Sequence, residues 1–181
     1  MPSCMLDLET LSTKQNAVVL TLGAVKFNPF NLQEPSEELY LRIEADQQIE
    51  LGRDVSESTV EWWMKQSPEV QEEAMGPENR ISVVDACQQL NRFLVGVDKI
   101  WCQGPHFDIT ILETLFRDVE MSTNWQYYQV MDSRTIFSLL GDLRDKNRST
   151  AHNAVEDCKE QVRALQKLTR QLGITKYADR F

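Results

Sequence analysis

Residues 38–44 alternate Leu39, Leu41 and Ile43 with Glu38, Tyr40 and Arg42, the period of two of a strand with one wet face. Two apolar runs precede it. Residues 3–8 predict a short buried strand, and residues 18–27, rich in valine and leucine around Gly23, predict a second that ends at Asn28-Pro29. The period then lengthens. After an irregular acidic stretch, Ser58 or Thr59 caps a helix through Lys65, Pro68 starts another, and Ser82 precedes a helical pattern over 83–95 that stops at Gly96. A brief apolar strand over 99–103 turns at Gly104-Pro105 into a helical run over 109–116, with Leu112, Leu115 and Phe116 on one face. Val130-Met131 leads into a further helix through Leu140. A polar loop over 141–150 then separates it from a long helix over 153–172, ended by Gly173.

Strands first, then strands alternating with helices, predict an α/β fold: a mixed sheet of about five strands with helices packed on its faces. No linker, repeat or low-complexity segment interrupts the chain, so residues 1–181 read as a single domain, a size within the usual range for one. With 41% hydrophobic and 26% charged residues the composition is that of an ordinary globular protein. The longest apolar runs are broken well before the roughly 20 residues that a spanning helix needs, so no membrane association is expected. The first ten residues lack the basic start and apolar stretch of a signal peptide. Cys4, Cys87, Cys102 and Cys158 form no CxxC pair or zinc-like cluster, and read as reduced thiols of a cytoplasmic protein. A net charge of -9 argues against broad binding of nucleic acid by phosphate neutralisation alone. Any action on nucleic acid must be local and metal-assisted.

The acids bring chemistry into view. Asp7 and Glu9 are two apart on a predicted strand, so both leave the same face. Such a like-charged pair among Met5, Leu6, Leu8 and Leu11 fits either a solvated sheet edge or a cation site. Asp108 follows the strand over 99–103, where Gly104-Pro105-His106-Phe107 turns the chain into a helix; it reads as a helix cap or as a ligand gathered at the sheet's end. His152 and Asp157 stand near the start of the last helix. A spacing of five turns about 140° on an ideal helix, so the two meet only if His152 lies at its frayed first turn.

In order these make D-x-E, then D, then H-x-x-x-x-D, nearly the length of the chain. The sequence resembles the DEDDh 3'–5' exonucleases of the ribonuclease H-like superfamily, with Asp7-Leu8-Glu9-Thr10, Gly104-Pro105-His106-Phe107-Asp108 and the segment from His152 to Asp157 as the three motifs. The stretch Ser58-Thr59-Val60-Glu61-Trp62-Trp63 looks like a segment of phage-type and related bacterial members. The resemblance implies hydrolysis of phosphodiester bonds from the 3' end of single-stranded nucleic acid, DNA favoured, with release of nucleoside 5'-monophosphates. It implies two divalent ions, Mg2+ or Mn2+, about 3.5–4 Å apart, in keeping with hard oxygen ligands. By the same resemblance Asp7 bridges the ions, Glu9 and Asp157 complete the nucleophile-side site, and Asp108 supports the other partly through water. His152 is the general base, its ordinary pKa of about 6.5 suiting neutral pH.

For substrate binding, Thr10 and Leu11 are candidates for the terminal 3'-hydroxyl and base by position in the family. Phe107 either stacks on a base or packs in the core. Trp62 and Trp63 read as core and rim of an amphipathic helix, as an interface anchor, or with one of them, Trp63, lining the groove. Arg134, Lys146 and Arg148 are candidate phosphate contacts, each with a structural alternative. A phage-encoded chain would work in its host's cytoplasm, as monomer or homodimer. The rival readings are an exoribonuclease on the same chemistry and a non-catalytic binding module on the same fold.

Overall fold

The first two apolar runs become the central strands, β1 (Ser3–Thr10) and β2 (Val19–Phe27), paired antiparallel and buried almost throughout. Both their faces are covered by helices, which is why they read as continuous apolar runs. The alternating segment is β3 (Glu37–Ile43), antiparallel to β2. On the other side of β1, β5 (Lys99–Cys102) runs parallel to it and β6 (Val130–Asp132) parallel to β5. The sheet ends beyond β3 with the parallel β4 (Arg80–Ile81). The order is β4-β3-β2-β1-β5-β6 in this computed structural model, which describes residues 2–144 and 152–178.

The sheet is one strand larger than expected. A two-residue strand leaves no periodic signal; β4 is fixed by Arg80, whose guanidinium donates to the carbonyls of Leu20, Ile43, Ala74 and Gly76. The acidic stretch after β3 also contains an unforeseen helix, α1 (Ala45–Glu50). Its Gln48 is fully buried because the amide extends the sheet ladder: Oε1 accepts from Val19 N–H at 2.7 Å and Nε2 donates to Val19 O at 2.8 Å.

The next helix, α2 (Glu57–Trp63), has Ser56 at its N-cap position, two or three residues before the expected Ser58 or Thr59, and ends two residues before Lys65. Then come α3 (Pro68–Met75), started by Ser67 and Pro68, and α4 (Val83–Phe93), capped by Ser82. Three more helices follow: α5 (Asp108–Asp118), α6 (Ser133–Leu140) and α7 (Ala154–Gln171), the last capped by Asn153, whose side chain accepts from Glu156 N–H at 3.1 Å.

Strand alternation divides the core. Cys4, Leu6 and Leu8 of β1 face a cluster with α4 and α5, while Met5 faces a second cluster with Val155, Cys158, Val162 and Leu165 of α7 and Phe137 of α6. Asp7 and Glu9 continue the Met5 face and therefore project on the α7 side. All four cysteines are buried free thiols. Arg53, 1% exposed in its side chain, ties α1's end to α5, donating to Ala17 O at 2.7 and 2.9 Å and to Asp118 at 2.6 Å.

A single glycine sets how closely α7 lies on the sheet. Gly23 pairs with Asp7 across β1 and β2, and a Cβ there would stand 2.3 Å from the Ala154 carbonyl carbon and 2.5 Å from Val155 N. The first turn of α7 rests directly on the β2 backbone at this point.

Candidate active site

β5 pairs with β1 only as far as Met5, so the distal half of β1 extends past it. Asp108 enters there. It is the first residue of α5, not its cap, which is Phe107. Asp108 is 4% exposed, and its carboxyl feels the backbone N–H dipoles of Leu8 and of Asp108 itself and lies beside Asp7 and Glu9.

From the other side comes α7. His152 stands two residues before the helix with φ of 68°, a left-handed backbone that turns the chain sharply into Asn153. This turn resolves the angular mismatch of a five-residue spacing. The His152 backbone N–H donates to Asp157 Oδ2 at 3.1 Å. Ligand atoms of Glu9, His152 and Asp157 all lie within 4.8 Å of one another. Asn153 is also held from α3, its amide donating to Glu73 Oε1 at 2.8 Å.

The electrostatics follow from crowding acids where little water reaches. Burial first, then the charges of Asp108 and Glu9, raise the Asp7 carboxyl well above its ordinary range, against lowering by Gln161 and Arg144. Glu9 is pushed up to about 8 by burial and by Asp108. Asp108 is pushed up to about 7 by burial, tempered by its backbone donors and by Arg134. Such a cluster ionises readily only with a cation among its oxygens. The donors fit a hard, oxygen-seeking divalent ion: carboxylates and one imidazole, with no thiolate in the group.

A cavity of about 310 Å³ opens beside Glu9, lined by Leu8, Thr10, Thr13, Ser58, Thr59, Trp62, Trp63 and Phe107. The two tryptophans divide as core and rim. Trp63 is 1% exposed and its indole N–H donates to Thr10 O at 2.9 Å, so it supports the cavity wall and the end of β1. Trp62, 40% exposed, offers the accessible aromatic surface and meets the His152 ring edge-to-face at 4.9 Å.

The Thr10 hydroxyl is engaged with Ser12 O at 2.7 Å. Leu11 packs with Leu20, Trp63 and Ala74, next to the cavity-lining Thr10. The half-buried Phe107 both lines the cavity and packs on the core. The Arg134 guanidinium donates to Gln103 O at 2.8 Å over Gly104, while Asp132 serves as the cap of α6. Lys146 and Arg148 lie outside the described residues.

Sequence reasoning missed Gln161 and the contact of Trp62 with His152. Gln161 lies one turn beyond Asp157 on α7 and donates to Asp7 Oδ1 at 3.0 Å. The i, i+4 spacing from a motif acid was the available signal.

Comparisons with known proteins give the family and the fold. The exodeoxyribonuclease of Enterobacteria phage T4 is 26% identical over 192 residues, 87% of this chain and 85% of the phage protein. Among solved structures, the nuclease domain of 3'hExo, a DEDDh family member bound to rAMP, matches with TM-score 0.63 and 10% identity over 99% of this chain and 97% of that one. Exonuclease X in complex with 5' overhanging duplex DNA matches with TM-score 0.59 and 11% identity over 94% of this chain and 92% of that one. The α/β sheet is thus that of the ribonuclease H-like DEDDh nucleases. Residues 2–169 match the family described as the 3'-5' exoribonuclease Rv2179c-like domain; the chain belongs to that family and is a DEDDh 3'–5' exonuclease.

Proposed function

We propose that the enzyme removes nucleoside 5'-monophosphates from the 3' end of single-stranded DNA, with two divalent ions, Mg2+ or Mn2+, and with His152 as general base. The observation that carries this reading is the meeting of Glu9, His152 and Asp157 within 4.8 Å of one another beside the acids Asp7 and Asp108.

Asp7, Glu9, Asp108 and Asp157 would hold the ions. Bound there, divalent ions supply a water that ionises near neutral pH and positive charge for the phosphoryl oxygens. The raised carboxyls support this assignment, since protons occupy the place that a cation fills more strongly. His152 accepts the proton of the attacking water at its ring. Its backbone is tied to Asp157, and Trp62 limits the swing of the imidazole. The hydroxide attacks the terminal phosphodiester, the bond to the penultimate 3'-oxygen breaks, and that oxygen leaves to be protonated from solvent.

The cavity beside Glu9 receives the terminal nucleoside, with Trp62 and Phe107 as aromatic surfaces and the hydroxyls of Ser58 and Thr59 within its wall. A cavity of about 310 Å³ suits one nucleoside at a time. DNA as substrate is supported by the likeness to the phage exodeoxyribonuclease. The family description favours a second reading, in which the strand is RNA.

One time course decides among these. Matched 3'- and 5'-labelled DNA and RNA oligonucleotides are incubated with Mg2+, Mn2+ or chelator, using wild type and His152→Ala. Stepwise 3' loss of mononucleotides that needs metal and His152 is expected, faster on DNA. Faster loss from RNA selects the second reading, and full activity in His152→Ala removes the histidine from the role of base.

A further inference from the structure

Gln161 is 2% exposed on the face of α7 that covers Asp7. Its neighbours on that helix, Cys158, Val162 and Leu165, are fully buried and apolar, so packing alone asks for a residue such as leucine. The amide instead donates from Nε2 to Asp7 Oδ1 at 3.0 Å, while Oε1 is buried with no hydrogen-bond partner among the described residues. With Asp7 ionised, as a metal ligand must be, the reverse orientation would set oxygen against carboxylate oxygen, so the amide meets that state through its donor end. A buried amide oxygen without a partner works against the fold. The polar residue therefore answers to its donor end.

A terminal carboxylate has a broad torsional preference and needs a partner to hold one orientation. Asp7 lies on the cleft side of β1, where Asp108 and Glu9 repel it. We infer that Gln161 is a positioning residue, which fixes the Asp7 carboxylate in the single orientation that a divalent ion meets. This rests on the proposed reading of Asp7 as a metal ligand. Partners that orient a ligand in this way change metal affinity by about 10–100-fold when removed.

The test is a Mn2+ titration followed by the paramagnetic signal of the free ion, with thermal unfolding in the presence and absence of metal, on wild type, Gln161→Leu and Asp7→Asn. Gln161→Leu is expected to keep a metal-free Tm at or above that of wild type, because the unpartnered oxygen is gone. Its Mn2+ Kd should rise about 10–100-fold, and its turnover should return toward wild type at raised Mn2+. A purely structural glutamine would give the opposite pair, a lower metal-free Tm with unchanged Mn2+ affinity, and that result overturns the inference. If the branched leucine itself lowers the metal-free Tm, Gln161→Met, unbranched and close in length, is read in its place by the same two criteria. Wild-type binding by Asp7→Asn overturns the reading of Asp7 as a ligand and the inference with it. Lost binding in Asp7→Asn beside unaltered binding in Gln161→Leu overturns the inference alone.

Discussion

Adding one methyl group at Gly23 should disable the enzyme without touching a carboxylate. The new Cβ would lie 2.3 Å from Ala154 C, 2.5 Å from Ala154 O and 2.5 Å from Val155 N, all backbone atoms of the first turn of α7. Carbon contacts settle near about 3.5 Å, so the turn must retreat by roughly 1 Å. That turn connects His152 to Asp157, whereas Glu9 stays on β1, and the three ligand atoms lie within 4.8 Å of one another. A displacement of about 1 Å in such a site costs on the order of 100-fold in rate, or roughly 2.7 kcal/mol of transition-state stabilisation. Overpacking should lower stability by about 1–3 kcal/mol, seen as a Tm loss on the order of 5 °C for a chain of this size.

The assay is single-turnover cleavage of a 3'-labelled oligonucleotide at saturating divalent ion, beside thermal unfolding. Gly96→Ala is the control: its φ is +79° and nothing lies within 4 Å of an added Cβ, so it should lose some stability and no rate. Wild-type rate and Tm in Gly23→Ala would refute the reasoning, because the sheet and α7 would then separate freely without disturbing the site.

Other outcomes follow from the same geometry. Asp7→Ala should abolish turnover and leave the metal-free fold intact or firmer at neutral pH, as it removes one of several crowded acids; unfolding of that variant would contradict the assignment. The metal-free protein should lose stability as pH rises. Glu9 and Asp108 are raised from 4.5 and 3.8 to about 8 and about 7, so the folded state keeps protons that the unfolded chain releases. That stabilisation is fully present below about pH 4 and is gone above roughly pH 8; a flat or rising Tm over this window in chelator would be inconsistent, and Mg2+ should restore the alkaline side. Trp62→Ala should lower kcat by about three- to tenfold, the equivalent of an edge-to-face pair worth roughly 0.5–1.5 kcal/mol, with Trp62→Phe retaining most of the rate; an unchanged kcat in the alanine variant would separate Trp62 from His152. Arg53→Met should destabilise by about 3–5 kcal/mol in urea unfolding while the folded fraction keeps its rate, since the Arg53–Asp118 pair lies between α1's end and α5.

The sequence made the central strands and the long last helix legible because each is long and has one dominant pattern. It was less informative where structure depends on partners distant in the chain. β4 consists of two residues held by one arginine, and α1 is anchored by a glutamine that imitates a strand. Neither has a periodic signature. Within the site, acids at motif spacing were readable because spacing on a strand fixes the face. The i, i+4 spacing from Asp157 put Gln161 on the right face of α7, but its contact with Asp7 and that of Glu73 with Asn153 join residues 154 and 80 positions apart, and no local pattern encodes such partners. The division between Trp62 and Trp63 was open in the sequence because adjacent helix residues point about 100° apart, and which of them faces inward depends on how α2 docks.

The acids of the cluster come from the first strand, from the start of α5 and from the last helix, so its closure is among the longest-range events in folding the chain. If the proposed roles of His152 and Asp157 hold, catalytic competence is an all-or-none report on docking of α7. A nascent chain that has formed the whole sheet but not yet seated this helix would then be inert toward nucleic acid. Loosening of the helix's first turn alone would silence the enzyme at temperatures where spectroscopic measures of folding still read native, so inactivation should run ahead of melting.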